Sequence, residues 1–375
     1  MNGGAMAKSA TVYDVARRAG VSIATVSMTF HRPHKVREET RQAVLAAAQE
    51  LNYVPSASAR GLVRGRTGAL GLYAFDYFRP EMADSQPVAL QPTGRKRSGS
   101  SVAVVRDEPD EGYLRFPLYV DEVLRGCELE CWQRGYTLLI SGGRQTDSAA
   151  AVTDIVGRVD GLTVLPGHVP EDVLQRISQR IPLVMLAEEP RPDGPSTVYV
   201  DNRGGMQAIT EHLIIEHGLR DLLWVGPSTS YDMRERFAGF RAALRGAGLR
   251  VPRKPLPQLE VEEWDIDSAV ARMPESDLPE AFVCPSDVAA LRLMAAMAAH
   301  GVRMPEHVAV TGFDGIVAGR VARPTLTTVR QPMQAIGRAA VDILVERIAD
   351  PSGPPVVRRL PVEVVLRESC GCRRP

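Results

Sequence analysis

The sequence predicts an α/β chain, an all-α head followed by two doubly wound parallel-sheet lobes. Three observations predict it. Residues 11–63 carry helical apolar spacing broken by turn residues. From residue 69 onward, short apolar runs alternate with helical stretches, the pattern of parallel sheets covered on both faces. The roughly 300 residues after the head exceed what one hydrophobic core organises, so they divide into two lobes.

The head reads as three short helices. Val12, Val15, Ala16 and Ala19 follow the i, i+3, i+4, i+7 rule. Thr11 and Asp14 have capping-box spacing, with Asp in place of the usual Glu. Gly20 ends the first helix, and Ser22 caps a second over residues 23–30. A third covers 37–51 and buries Val44, Leu45, Ala48 and Leu51. Pro55 then disfavours helix at Val54. Residues 56–63 can form one or two turns but are too few to be stable alone. Gly61, Gly65 and Gly68 around Arg64 and Arg66 suit a linker.

In the body, strands are expected at 69–75, 137–140, 161–165, 182–186, 197–200, 222–225, 281–284, 308–311 and 361–366. Helices are expected at 206–216, 234–246, 286–300 and 333–348. Residues 79–112, rich in Pro, Ser, Gly and charge, interrupt the alternation and read as a surface insertion. The run 101–105 alone interrupts it, and the cationic Arg95-Lys96-Arg97 reads as a solvated loop, the alternative being a contact to DNA.

Composition excludes several classes. The chain is 44% hydrophobic and 24% charged, ordinary for a soluble globular protein. No apolar run approaches the ~18–20 residues of a membrane span, and residues 1–10 show no secretory pattern. Lys+Arg and Asp+Glu are 45 each, yet residues 1–66 hold ten basic and four acidic groups. A cationic head on an acidic body suits binding to a polyanion. The five cysteines are sparse and odd in number, which implies no disulfide framework and fits a reducing cytoplasm. Cys370-Gly-Cys372 reads as part of an unstructured tail, the alternative being a pair that holds a metal or reacts with oxidants; no second pair or histidine cluster completes a site, so no metal and no cofactor are expected.

Helix, glycine turn and second helix over residues 11–27 form the helix-turn-helix arrangement. The second helix begins with the slim Ser22, Ile23, Ala24 and Thr25, which fits a major groove. These residues and others resemble the LacI/GalR family of bacterial transcription regulators. The motifs are Tyr13-Asp-Val-Ala through Ala19-Gly-Val-Ser, Thr25-Val-Ser27, Glu50-Leu-Asn-Tyr-Val-Pro55, Val159-Asp-Gly-Leu, Val200-Asp-Asn-Arg-Gly-Gly205, Arg236-Phe-Ala-Gly-Phe240, Thr311-Gly-Phe-Asp314, the run from Pro324 to Gln331, and Leu366-Arg-Glu-Ser369. The resemblance spans nearly the whole chain.

The resemblance implies a homodimer that sets two recognition helices into a near-palindromic double-stranded operator. It places Thr11, Tyr13, Ser22, Ile23, Ala24, Thr25, Ser27, Met28 and His31 at the DNA. Residues 56–63 become a hinge helix, with Ser56, Ala59 and the wedge Leu62 at the minor groove; the alternative for Leu62 is packing against the core lobe. Met28 stands where an arginine is common, and His31 where an asparagine is common. Methionine cannot read guanine bidentately, so base preference differs there.

The lobes resemble periplasmic sugar-binding proteins, which implies a small, sugar-like effector in the cleft between them. Expected domains are 1–63, then 68–200 with 330–357, then 201–328 with 358–369. Arg236 offers a fixed fork of donors for hydroxyls or a carboxylate; the alternative is a surface ion pair with Asp232 or Glu235. Asp314 ends a strand-like run and can accept from hydroxyls, or serve the turn before Gly315. Ser286 and Asp287 follow another strand; Asp287 either meets the ligand or caps the next helix. Trp264 either stacks on a sugar face or lies in the core, and Phe75 and Asp76 belong to the first lobe's cleft. Ala187 and Glu188 stand where the family often has Asp-Arg.

A long tetramerising tail is absent, so a dimer is expected, with Leu291, Met294 and Met297 able to pair across its axis or to fill the core. The expected function is a ligand-controlled repressor acting in the cytoplasm. A solute-binding transport protein is the alternative, with an α/β enzyme after it; no phosphate loop, nucleophile elbow or zinc-protease motif is present, and no catalytic residue is assigned.

Overall fold

The computed structural model describes residues 10–31, 33–53, 66–74, 95–96, 103–104, 118–142, 148–165, 169–255, 266, 273 and 278–372. The hinge segment 56–63, Phe75, Asp76, Trp264 and most of the insertion lie outside them. The chain divides into two compact units, Met1–Gly68 and Ala69–Pro375.

The first unit contains α1 (Val12–Ala19), α2 (Ile23–His31), a 3-10 turn (Pro33–Lys35) and α3 (Glu38–Glu50). The amide and hydroxyl of Thr11 donate to the Asp14 carboxylate at 2.9 and 2.6 Å, so the shorter acid still closes the start of α1. Gly20 adopts φ 66°, the left-handed conformation that lets the chain reverse after α1. Ser22 Oγ then accepts from the Thr25 amide at 3.1 Å and starts α2. Val15, Ala16, Val26, Val44, Ala47 and Ala48 form the core, with Phe30 and Tyr53 packed against it. Burying each valine fully contributes about 1.5–3 kcal/mol. The exposed Arg18–Glu50 ion pair adds little, about 1 kcal/mol at most.

The second unit holds two sheets. One is built from β1 (Ala69–Tyr73), β4 (Thr137–Ser141), β5 (Leu162–Val164), β6 (Leu183–Leu186), β7 (Ser196–Val200) and β12 (Val357–Leu360), in the order β12-β7-β6-β5-β1-β4. All its pairings are parallel. Its helices are α4 (Leu118–Arg134), α5 (Ser148–Val156), α6 (Glu171–Ser178) and, further along, α11 (Met333–Ala349).

The other sheet is built from β8 (Leu222–Trp224), β9 (Ala281–Val283), β10 (Ala309–Asp314), β11 (Thr327–Arg330) and β13 (Glu363–Val365), in the order β13-β11-β10-β9-β8. It is parallel except that β13 runs antiparallel to β11. Helices α7 (Asn202–Ile215), α8 (Tyr231–Gly246), α9 (Asp287–Ala299) and α10 (Val317–Val321) belong to this lobe.

The chain therefore passes between the sheets three times: from β7 into α7, from β11 into α11, and from β12 into β13. Val357–Leu360 pairs with β7, so the last passage falls after Leu360 rather than after residue 357. This strand escaped sequence reading because its burial alternates and its two central residues are arginines. Within the insertion, β2 (Arg95–Lys96) and β3 (Ala103–Val104) pair antiparallel, so the cationic run begins in a short strand rather than a plain loop.

The dimer-face expectation is also corrected. Leu291, Met294 and Met297 are at most 7% exposed and lie in the lobe's own core, because α9 is apolar around most of its circumference. Among the described residues no helix is long and apolar enough to cross a membrane.

Each lobe depends on one close helix pair. A Cβ on Gly126 of α4 would overlap the Gln334 carbonyl oxygen, and one on Gly337 of α11 would overlap that of Val123. In the other lobe a Cβ on Gly239 of α8 would overlap the Arg203 carbonyl oxygen. Backbone atoms cannot yield as a flexible side chain can. Gly337→Val should therefore destabilise the second unit by roughly 1–3 kcal/mol or more. Thermal unfolding checks this, and α1–α3 should be unaffected.

Candidate functional site

In the first unit, α2 presents a surface. Val26 is fully buried and Thr29 nearly so. On the opposite side Ser22, Ala24 and Ser27 are exposed, Thr25 is half-buried, and Ile23 and Met28 are each 41% exposed. Thr29 Oγ1 returns to the Thr25 carbonyl at 2.9 Å, keeping that hydroxyl off the outer face. At the start of α1, Thr11 is exposed and Tyr13 is 62% exposed. His31 lies in the last turn of α2.

In the second unit, the carboxyl ends of the strands gather a buried polar cluster. Arg236, one turn into α8, is 3% exposed. Its Nε donates to Asn202 Oδ1 at 2.8 Å, and its Nη1 donates to the Pro285 carbonyl at 2.6 Å. Nη1 also lies 3.4 Å from Asp314 Oδ1. The guanidinium sits 3.9 Å from the centre of the Phe313 ring, a cation–π contact. Among the described residues, Nη2 meets only Asp232, at 3.7 Å. Asn202 Nδ2 donates to Asp232 Oδ1 at 2.7 Å, and Gln331 Nε2 to Asp314 Oδ1 at 2.7 Å.

The surface ion pair offered as an alternative for Arg236 is thus a buried one, and Asp232 belongs to the cluster. Burial pushes the Asp232 carboxyl up to about 6, although Arg236 and Asn202 pull it down. Tyr119, from the first lobe, lies in the same field; burial, then Asp232 and Asp314, push its hydroxyl above the usual tyrosine range. Asp314 holds φ 125°. Non-glycine residues rarely adopt this conformation, and such strain collects at functional sites. Ala187, after β6, is also left-handed at φ 53°.

Ser286 and Asp287 serve the scaffold. Ser286 Oγ accepts from the Ala289 amide at 3.1 Å and caps α9. The Asp287 carboxylate accepts from the Gly315 and Ile316 amides, each at 2.8 Å, and from the Thr328 hydroxyl at 2.5 Å. It is fully buried, and it fixes the turn that aims Asp314. Burial pushes its carboxyl up while these donors hold it down. Glu188 is half-buried, and burial raises its carboxyl.

Sequence reasoning gave no role to Asn202, Gln331 or Tyr119. Asn202 and Gln331 stood inside the motifs named above, and their place at two of the three interlobe passages was the signal. It also missed a second group. His212 and His217 lie beside Cys370 and Cys372, with the four ligand atoms all within 4.8 Å of one another. The expectation that no histidine cluster completes the cysteine pair is overturned, because the fold returns the end of the chain to the end of α7.

Residues 11–56 match the family model described as bacterial regulatory proteins, lacI family, and residues 210–370 match the periplasmic binding protein-like domain. A relative in Photobacterium profundum, the HTH-type transcriptional repressor PurR, is 30% identical over 96% of this chain and 98% of its own. Its namesake in Salmonella arizonae is 31% identical over 91% of each chain. A structure titled transcriptional regulator CelR-cellobiose complex is similar at 25% identity and TM-score 0.62, covering 96% of this chain and 99% of that one.

An Asp232 carboxyl raised in the folded state binds more protons there than in the unfolded chain between pH about 4 and 6. Its contribution therefore makes stability fall as pH rises through that window. Asp232→Asn should remove a slope of up to about 1.4 kcal/mol per pH unit. Chemical denaturation at pH 4, 5 and 6 reads it.

With its helix-turn-helix unit, its paired lobes and its full-length similarity to these repressors, the chain belongs to the lacI family of bacterial regulatory proteins and is a DNA-binding transcription regulator controlled by a small molecule.

Proposed function

We propose that the protein is a homodimeric repressor of sugar or related metabolite genes, acting in the cytoplasm on the nucleoid. The observation that carries this reading is the pairing of an outward α2 surface with a buried polar cluster at the strand ends of the lobes. Ser22, Ile23, Ala24, Thr25, Ser27, Met28 and His31 face the bases, while Thr11 and Tyr13 hold phosphates. Ser56, Ala59 and Leu62 form the minor-groove hinge of each subunit.

The effector sits against Arg236 and Asp314, with Asp232, Asn202 and Gln331 as further polar partners. Phe75, Asp76 and Trp264 complete the site from outside the described residues. Ser286 and Asp287 shape the wall rather than touch the ligand. The favoured effector is rich in hydroxyls, because two carboxylates, two amides and a guanidinium offer acceptors and donors side by side. Arg236 Nη2, which among the described residues has only a long contact to Asp232, keeps donor capacity for it. The solute-binding and enzyme readings lack support from the head, whose exposed α2 face has no use in either.

Electrophoretic mobility shifts on near-palindromic operator DNA, with panels of sugars and purines, test this. Affinity should fall steeply with salt, because phosphate contacts release counterions. Arg236→Ala should abolish the response to effector while leaving basal DNA binding within a few-fold. Leu62→Ala should weaken operator binding far more than effector binding. A flat salt dependence, or an unchanged effector response in the Arg236 variant, would contradict the proposal.

A further inference from the structure

The polar cluster at the strand ends does not involve the second group of ligating side chains. His212 lies near the end of α7, and His217 follows it in the turn leading to β8. Cys370 ends the 3-10 turn Glu368–Cys370, and Cys372 follows Gly371. Two stretches 155 residues apart thus bring two imidazoles and two thiols together.

The distances are those of a coordination shell. His212 Nε2 and His217 Nε2 lie 3.2 Å apart. Cys372 Sγ is 3.3 Å from the first and 3.4 Å from the second, and Cys370 Sγ is 3.9 Å from His212 Nε2. A tetrahedral zinc ion, with Zn–N of about 2.0–2.1 Å and Zn–S of about 2.3 Å, requires N···N near about 3.4 Å and N···S near about 3.5 Å. The two rings are nearly perpendicular at 80°, so both Nε2 atoms converge without the rings stacking.

The backbone is built for this convergence. Gly371 adopts φ 98°, a left-handed turn between the two cysteines that any side chain would strain. Ser369 anchors the 3-10 turn, donating to the Val310 carbonyl at 2.6 Å and accepting from the Thr327 amide at 2.8 Å. Thr327 Oγ1 lies 3.0 Å from Cys370 Sγ, within reach to donate to a thiolate. Cys370 is 2% exposed and Cys372 is half-buried, so the group is shielded but reachable.

We propose that His212, His217, Cys370 and Cys372 bind one zinc ion, forming a structural site that fastens the segment after β13 to the end of α7. Four protein ligands leave no open position, which marks a structural rather than a catalytic site. Binding releases the two thiol protons to solvent, so affinity falls at low pH. The His-x4-His spacing is that of known zinc ligands, while the Cys-x-Cys pair is shorter than usual and depends on the Gly371 turn.

The test uses the full chain without a histidine tag, reduced, stripped with chelator and titrated with cobalt(II), then zinc. One cobalt per chain should bind, with intense visible bands of tetrahedral geometry and near-ultraviolet thiolate charge transfer, both displaced by zinc. Cys372→Ser and His217→Gln should each weaken binding by about 100-fold or more. His300→Gln, elsewhere in the lobe, should leave the spectrum unchanged. Zinc should raise the midpoint of thermal unfolding in the unsubstituted chain and in His300→Gln, but not in the two ligand variants. Circular dichroism establishes that each variant is folded. Failure to take up cobalt, a pale octahedral spectrum, or a full tetrahedral spectrum in both ligand variants would overturn the proposal.

Discussion

A guanidinium taken out of water is costly, and the body of this protein is arranged around meeting that cost. Arg236 is nearly fully buried, and an unpaired charge at such depth would cost several kcal/mol. Asn202, the Pro285 carbonyl, Asp314 and Asp232 share the compensation, and the Phe313 ring supplies a fifth contact. These partners are not local. Asn202 opens α7 at the first interlobe passage, and Gln331, which holds Asp314, lies in the second. One cation thereby ties the passages between lobes to the ends of β9 and β10.

That arrangement gives a physical route from ligand to lobe geometry. At the proposed effector site, a ligand that accepts from Arg236 Nε or donates to Asp314 Oδ1 competes with Asn202 or Gln331, which sit where the lobes join. Around them the contacts are weaker. Tyr199 of β7 meets Tyr231 of α8 edge-on, and Glu189 pairs with Arg234 at 3.8 Å with both side chains more than half exposed. Exposed pairs of this kind are worth about 1 kcal/mol or less and can rearrange at low cost. The glycine-mediated helix pairs, by contrast, are packed backbone to backbone within each lobe.

Much of this was legible in the sequence, for physical reasons that differ by element. Val12, Val15, Ala16 and Ala19 revealed α1 because a buried stripe needs helical spacing. The apolar runs of β5, β6 and β10 revealed parallel strands because both faces are covered. β12 was hidden because Arg358 and Arg359 break the apolar pattern of an edge strand. Asp287 was ambiguous because an aspartate after a strand can meet a ligand or a backbone; only the Gly315, Ile316 and Thr328 donors decide it. Asn202 and Gln331 lay in visible motifs without an assignable role, since their partners are distant in sequence. The His212–Cys372 group was invisible for the same reason: local spacing shows half a site, and the fold brings the halves together.

In the proposed mechanism, occupancy of the effector site and operator binding share one equilibrium. Coupling of this kind is reciprocal: operator must change effector affinity by the same factor by which effector changes operator affinity. The decisive measurement is effector binding by titration calorimetry on the dimer, alone and saturated with operator, beside operator binding with and without effector. Two equal factors of roughly 5–150-fold are expected, both reduced toward unity when Arg236 is replaced by lysine. An effector that binds tightly with the same affinity whether or not the operator is present would contradict it.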